Sequence, residues 1–191
     1  MKKLMALALG SLLAVSVLAQ QSQTKPATAP TAGADAAKAG PEAKPEDVAS
    51  VDAIIKSLYD VISGPAGPRD WNRFQSLFIP EAHLIFSGKT KDGALIHRAM
   101  SPTEYQERSG QFFLKEGFFE SAVSNKIDEF GTVAHVFSTY ESRHEKSAQP
   151  FSRGINSIQL LNDGKRWWVV SILWDSERPD NPIPEKYLKA N

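Results

Sequence analysis

The 191-residue chain predicts an α+β fold, and three observations carry that expectation. Helical apolar spacing is confined to the stretch before residue 118. From Phe118 onward the apolar residues follow strand-like runs, broken at Gly131 and at Asp163-Gly164. No helix-length pattern falls between those late strands. This argues against a doubly wound parallel sheet and for helices lying on one face of a curved antiparallel one.

The chain opens on a segment that is not part of that fold. Residues 1–19 have the form of a secretory leader: Lys2 and Lys3 precede an apolar stretch from Leu4 to Leu18, too short for a convincing membrane span, and Val17-Leu18-Ala19 fits a small-residue cleavage site. The mature protein is therefore expected to be exported, periplasmic or secreted, with no stable membrane insertion. Residues 20–47 are rich in Ala, Pro, Thr and Lys, with no aromatic residue. Such a segment cannot bury enough apolar surface to offset its ordering entropy, and is expected to be a disordered tether. One domain is expected over residues 48–191.

Composition excludes several function classes. The chain has no cysteine, so disulfides, thiolate metal sites and cysteine nucleophiles are excluded. It carries 22 Lys+Arg and 22 Asp+Glu, and loss of Lys2 and Lys3 with the leader leaves it slightly acidic. That balance gives no electrostatic basis for nucleic-acid binding. Gly64-Pro65-Ala66-Gly67-Pro68 is a turn rather than a phosphate loop, because its two prolines lack the backbone donors a phosphate needs.

Within the domain, Val48, Val51, Ile55, Leu58 and Ile62 recur at helical spacing up to Gly64-Pro65. A second helix starts at Asp70, placing Trp71, Phe74 and Phe78 on one stripe before Pro80. The third has a capping box, Ser101-Pro102-Thr103-Glu104, with proline at the first helical position, Met100 and Tyr105 placed as a hydrophobic staple, and Gly117 as a stop. Strands are expected over Ala82–Phe86 and Leu95–His97. Phe118–Phe130 and Thr132–Arg143 form a hairpin about Gly131. A final hairpin joins the runs from Gly154 and Arg166 through Asp163-Gly164, a strong signal for a two-residue turn.

That turn sets a register. Leu161 then opposes Arg166, Gln159 opposes Trp168, Ser157 opposes Val170, Ile155 opposes Ile172 and Arg153 opposes Trp174. The other face holds Asn156, Ile158, Leu160, Trp167, Val169, Ser171 and Leu173. Both faces are apolar, so both are expected to be covered.

In this order, the elements resemble the nuclear transport factor 2-like superfamily. The residues that carry the likeness are the two amphipathic helices, Trp71 and Phe74 leading into Phe78-Ile-Pro-Glu-Ala-His-Leu-Ile-Phe86, and Asp163-Gly-Lys-Arg-Trp167 leading into Trp174-Asp-Ser-Glu177. The resemblance implies a cone, a bent sheet wrapped around helices, with a pocket in its mouth and a homodimer through the outer sheet face. It implies that Ser157, Gln159, Trp168, Val170, Ile172 and Trp174 face the pocket, and that Trp167, Val169 and Leu173 face a partner. A one-residue slip would exchange the two sets.

The same resemblance weakens the best-known chemistry of the superfamily. The base of the ketosteroid isomerases is an aspartate, and its position is taken here by Phe86. Tyr59 matches the isomerase tyrosine, whereas the acidic partner falls near Ser157. His135 is the remaining candidate base. The resemblance puts the face holding Val133, His135, Phe137, Thr139 and Glu141 inside, with Glu141 too far along the strand to touch His135. Glu141 can equally pair with Arg143 or Arg153. His83 and His97 are expected at the surface, and no metal site or cofactor is expected. Tyr59, Trp71, Phe86 and Trp174 complete the expected pocket, suited to a small apolar or aromatic ligand.

Three functional readings stay open: a small-molecule-binding domain, a cofactor-independent lyase, cyclase or isomerase with His135 as base, and a non-catalytic dimerisation module.

Overall fold

In the computed structural model, residues 41–189 are described. The expected leader (1–19) and most of the expected tether (20–47) lie outside them. The described residues open on a one-turn helix, α1 (Pro45–Val48), and α2 (Val51–Ile62) follows. Val48 and Val51 share an apolar stripe in sequence, yet they fall on separate helices. The Ser50 side chain accepts from Ala53 N at 3.1 Å and so starts a new helix between them.

α1 lies inside the span expected to be tether, and ordered chain begins before Val48. The anchor is Asp47, whose side chain is 6% exposed. Its carboxylate takes Arg73 Nε at 2.7 Å and Nη2 at 2.9 Å, plus Ser57 Oγ at 2.9 Å. Arg73 holds the Asp47 carboxyl below its ordinary pKa. The stability this gives is present above the unfolded pKa and is lost as pH falls through the lowered folded value. Asp47→Asn is expected to cost about 2 kcal/mol in urea unfolding near neutral pH, because it unbalances a charge-assisted bidentate pair. A variant as stable as the parent would mean that α1 is only loosely attached.

The next helix, α3 (Trp71–Ser76), is capped by Asp70, which accepts from Arg73 N at 2.9 Å. α4 (Pro102–Phe113) has the expected capping box: Glu104 N donates to Ser101 Oγ at 3.2 Å and Ser101 N to Glu104 Oε2 at 2.7 Å. Between α2 and α3, Arg69 donates to the carbonyls of Ile62 and Gly64 at 2.8 and 2.9 Å, satisfying acceptors at the end of α2.

Six strands form one sheet: β1 (Phe78–Lys89), β2 (Leu95–Met100), β3 (Phe119–Phe130), β4 (Val133–Arg143), β5 (Ser152–Asn162) and β6 (Trp167–Ser176), in the order β2-β1-β6-β5-β4-β3. The sheet is mixed rather than wholly antiparallel, because β1 runs parallel to β6, with Phe86 opposite Trp174. Every other pairing is antiparallel. The β3–β4 hairpin turns at Gly131, whose φ of 59° suits glycine.

The closing hairpin departs from the expected register. Asn162 pairs with Trp167, so four residues, not two, make the connection. Asp163 organises that longer turn. Its Oδ1 accepts from Lys165 N and Arg166 N at 2.8 and 2.9 Å, and its Oδ2 from Trp168 Nε1 at 2.8 Å. A bulge follows: Leu160 opposes Val169 but Gln159 opposes Ser171, leaving Val170 extra. Before the bulge, Trp167 and Val169 point into the core, 6% and 0% exposed. Beyond it, Ile172 and Trp174 line the inside of the cone.

Helices and sheet together enclose one core, built from Ile54, Ile55, Leu58, Phe74, Leu77, Val136, Ile158 and Val169. The outer face of β4 is crossed by the C-terminal segment. Thr139 Oγ1 donates to Tyr187 O at 2.6 Å, and the Phe137 and Tyr187 rings lie 4.9 Å apart.

Candidate functional site

The concave side of the sheet and the helices leave a cavity of about 240 Å³. Its wall is mostly apolar, from Leu58 and Ile62 of α2, Phe74 of α3, Leu84 of β1, Ile158 of β5 and Ile172 and Trp174 of β6. Phe118 and Phe151 also line it, with ring centroids 6.2 Å apart.

One end is polar. Glu120 of β3 enters the cavity and accepts from Ser142 Oγ of β4 at 2.7 Å. Burial pushes the Glu120 carboxyl up to about 7, against the opposing effects of Ser142 and Asn156. Ser63, just past the end of α2, fixes the strand beneath it: its hydroxyl donates to Tyr59 O at 2.6 Å and accepts from Glu120 N at 2.9 Å.

Tyr59 of α2 stands beside this carboxyl. Its Oη lies 2.6 Å from Ser138 Oγ and accepts from Asn156 Nδ2 at 3.1 Å. Tyr140 Oη is 3.2 Å from Ser176 Oγ. Burial, reinforced by Glu120, raises the pKa of Tyr59, Tyr105 and Tyr140. These phenols stay neutral, and Tyr59 and Tyr140 have protein partners. Glu120 is the group whose charge can change near neutral pH. Among the described residues no group of three or more His, Asp or Glu side chains could hold a metal.

The expected site residues divide between the two faces. Tyr59 and Trp174 line the cavity. The Phe86 ring packs tilted against Trp174, centroids 5.9 Å apart, and Trp71 packs against Phe74 and Phe113 between α3 and α4, so both lie behind the lining. His135, Phe137, Thr139 and Glu141 are on the outer face, because Ala134, Val136, Ser138 and Tyr140 take the inner positions of β4. His135 Nε2 lies 3.0 Å from Ser157 Oγ, outside the cavity. Glu141 pairs with both Arg143 and Arg153. Ser157 and exposed Gln159 share that outer face. So does Trp168, whose ring carries the Arg166 guanidinium at 3.6 Å.

The set expected to face a partner is corrected in the same way. Trp167 and Val169 are core residues, and of the three only Leu173 faces outward, 45% exposed.

Glu120, Tyr140, Ser142 and Asn156 are cavity groups that alternation along the chain does not find. A strict register from the Gly131 turn would put Ser121 and Val123 inside and Glu120 outside. A bulge between Ala122 and Ser124 reverses this, setting Glu120 opposite Ser142. The available signal was a carboxylate directly after Phe118-Phe119.

Solved structures of this shape come from several bacteria. A Mycobacterium tuberculosis protein of unknown function is 13% identical and matches 71% of this chain and 75% of its own, with a TM-score of 0.51. Proteins described as nuclear transport factor 2-like and of unknown function, from Silicibacter pomeroyi and Methylobacillus flagellatus, are 13% and 18% identical. Each match spans 68% of this chain, and 94% and 95% of theirs, with TM-scores of 0.45. No family model and no curated protein matches the chain. The described residues form the α+β architecture that the sequence resemblance implied, a curved six-stranded sheet packed on helices. At such identities the likeness is one of fold.

Proposed function

We propose that this domain binds a small, largely apolar molecule inside the cone and that Glu120 contacts its one polar group. The observation that supports the reading is the pairing of an apolar cavity with a single titratable carboxyl, the arrangement expected of a small-ligand site. A ligand acceptor would take a hydrogen bond from protonated Glu120, and a ligand donor would give one to the carboxylate.

The test fills the cavity. N-phenyl-1-naphthylamine, a neutral apolar fluorophore, is expected to brighten on binding the parent protein and to lose that response in Ile172→Trp, with thermal unfolding showing both folded. Equal brightening of the two proteins would place the probe elsewhere and sink the reading.

A second reading has one specific observation behind it. A carboxyl poised near neutral pH can both take and give a proton, the requirement for general acid–base catalysis. In this reading Glu120, not His135, is the base of a cofactor-independent lyase or isomerase.

A further inference from the structure

A second cavity adjoins the first. It is a groove of about 560 Å³ between α2 and the edge strand β3, and Tyr59 and Glu120 line both spaces. Its character is different. Lys56, Arg143 and Lys146 line it, along with Ser63, Phe119 and Asn125.

The charges there are not all compensated. Arg143 pairs with Glu141, and the acidic lining residue Asp60 shares Arg73 with Asp47. Lys56 and Lys146 have no carboxylate partner among the described residues, and Lys146 Nζ lies 5.8 Å over the Phe119 ring. Against these two cations stands one unpaired acid on the groove wall, Asp52, besides Glu120 itself. Asn125 Oδ1 is buried without a hydrogen-bond partner. A half-turn about the last side-chain bond would present the amide Nδ2 there instead.

We propose that the ligand is an amphipathic anion, with an apolar body in the cone and a carboxylate or similar head group in the α2–β3 groove beside Lys56 and Lys146. The inference rests on the reading of the cone as a ligand cavity and names the class of molecule that both spaces accept together. Glu120 and Tyr59, at the junction, sit where body and head meet. A protonated Glu120 there donates to the head group rather than repelling it.

Octanoate and octanol make the comparison, since they share a chain and differ in the head. By calorimetric titration at about pH 6, where Glu120 keeps its proton and octanoate is still ionised, octanoate is expected to bind the parent protein about tenfold more tightly than octanol, the effect of one charge-assisted contact. The double variant Lys56→Gln/Lys146→Gln is expected to lose that preference while its octanol affinity stays unchanged. Equal affinities in the parent, or a preference that survives in the double variant, would overturn the amphiphile and leave the cavity reading standing. Binding of neither compound to a folded parent would overturn both.

Discussion

Exchange of Glu120 for glutamine is expected to remove a loss of stability that the parent protein suffers as pH rises from about 4.5 to about 7. The folded-state carboxyl titrates near 7, whereas its ordinary value is 4.5. Between those values the folded protein holds a proton that the unfolded chain has released. Stability therefore falls with rising pH across that window, by about 3 kcal/mol when the shift is fully expressed. Glutamine cannot ionise and can still accept from Ser142 Oγ, so the variant should show a flat profile there and gain most above pH 7. Urea unfolding of both proteins at pH 4.5 and pH 8 measures the difference. Parallel profiles would mean that Glu120 titrates as an ordinary surface carboxylate and does not sit in a closed apolar cavity.

The second large effect is steric. Gly154 of β5 lies where Tyr140 crosses the sheet toward Ser176. A Cβ at Gly154 would collide with the Asp175 carbonyl oxygen and lie 2.6 Å from Tyr140 Oη. The carbonyl belongs to the paired strand and cannot swing aside as a side-chain tip could. Gly154→Ala is expected to cost about 3 kcal/mol through overpacking, and to displace Tyr140 from Ser176. The urea midpoint reports the first effect and near-ultraviolet circular dichroism of the tyrosine the second. A variant with the parent's midpoint would show that β5 and β6 can part at this point without loss.

The order of elements was legible because local signals specify it. The Ser101–Glu104 box starts a helix with its own side chains, and Gly131 turns a hairpin with its own backbone. The faces of the strands were not legible. Side-chain alternation carries over faithfully only while a strand is regular, and both β3 and β6 contain one extra residue. The bulge at Val123 turns Glu120 inward, and the one at Val170 lets Trp167 and Trp174 share an inner face that strict alternation denies them. Those extra residues are ordinary side chains, Val in both cases, without the glycine that would announce a bulge of the left-handed type. The turn is longer than its dipeptide signal implies for a related reason. Asp163-Gly164 does reverse the chain, but the aspartate carboxylate satisfies three donors beyond the glycine and so holds a longer loop closed. His135 was the candidate base because the resemblance placed its face inside; β4 is regular, and its inner face is the other one, that of Ala134, Val136, Ser138 and Tyr140.

The parallel seam between β1 and β6 also has a consequence for how the domain comes into being. The strands nearest the helices in sequence are β1 and β2, yet the seam joining them to the rest of the sheet is completed by the last strand synthesised. On a ribosome, α2 and α3 emerge long before β6 exists to receive them. The chain must close a loop spanning most of the domain before that seam can form, which places a slow, non-local step at the end of folding. Until then the apolar stripe of α2 has α1, α3 and β3 beside it, but not β6. The cone, and the cavity within it, exists only once the C-terminal part of the chain has arrived.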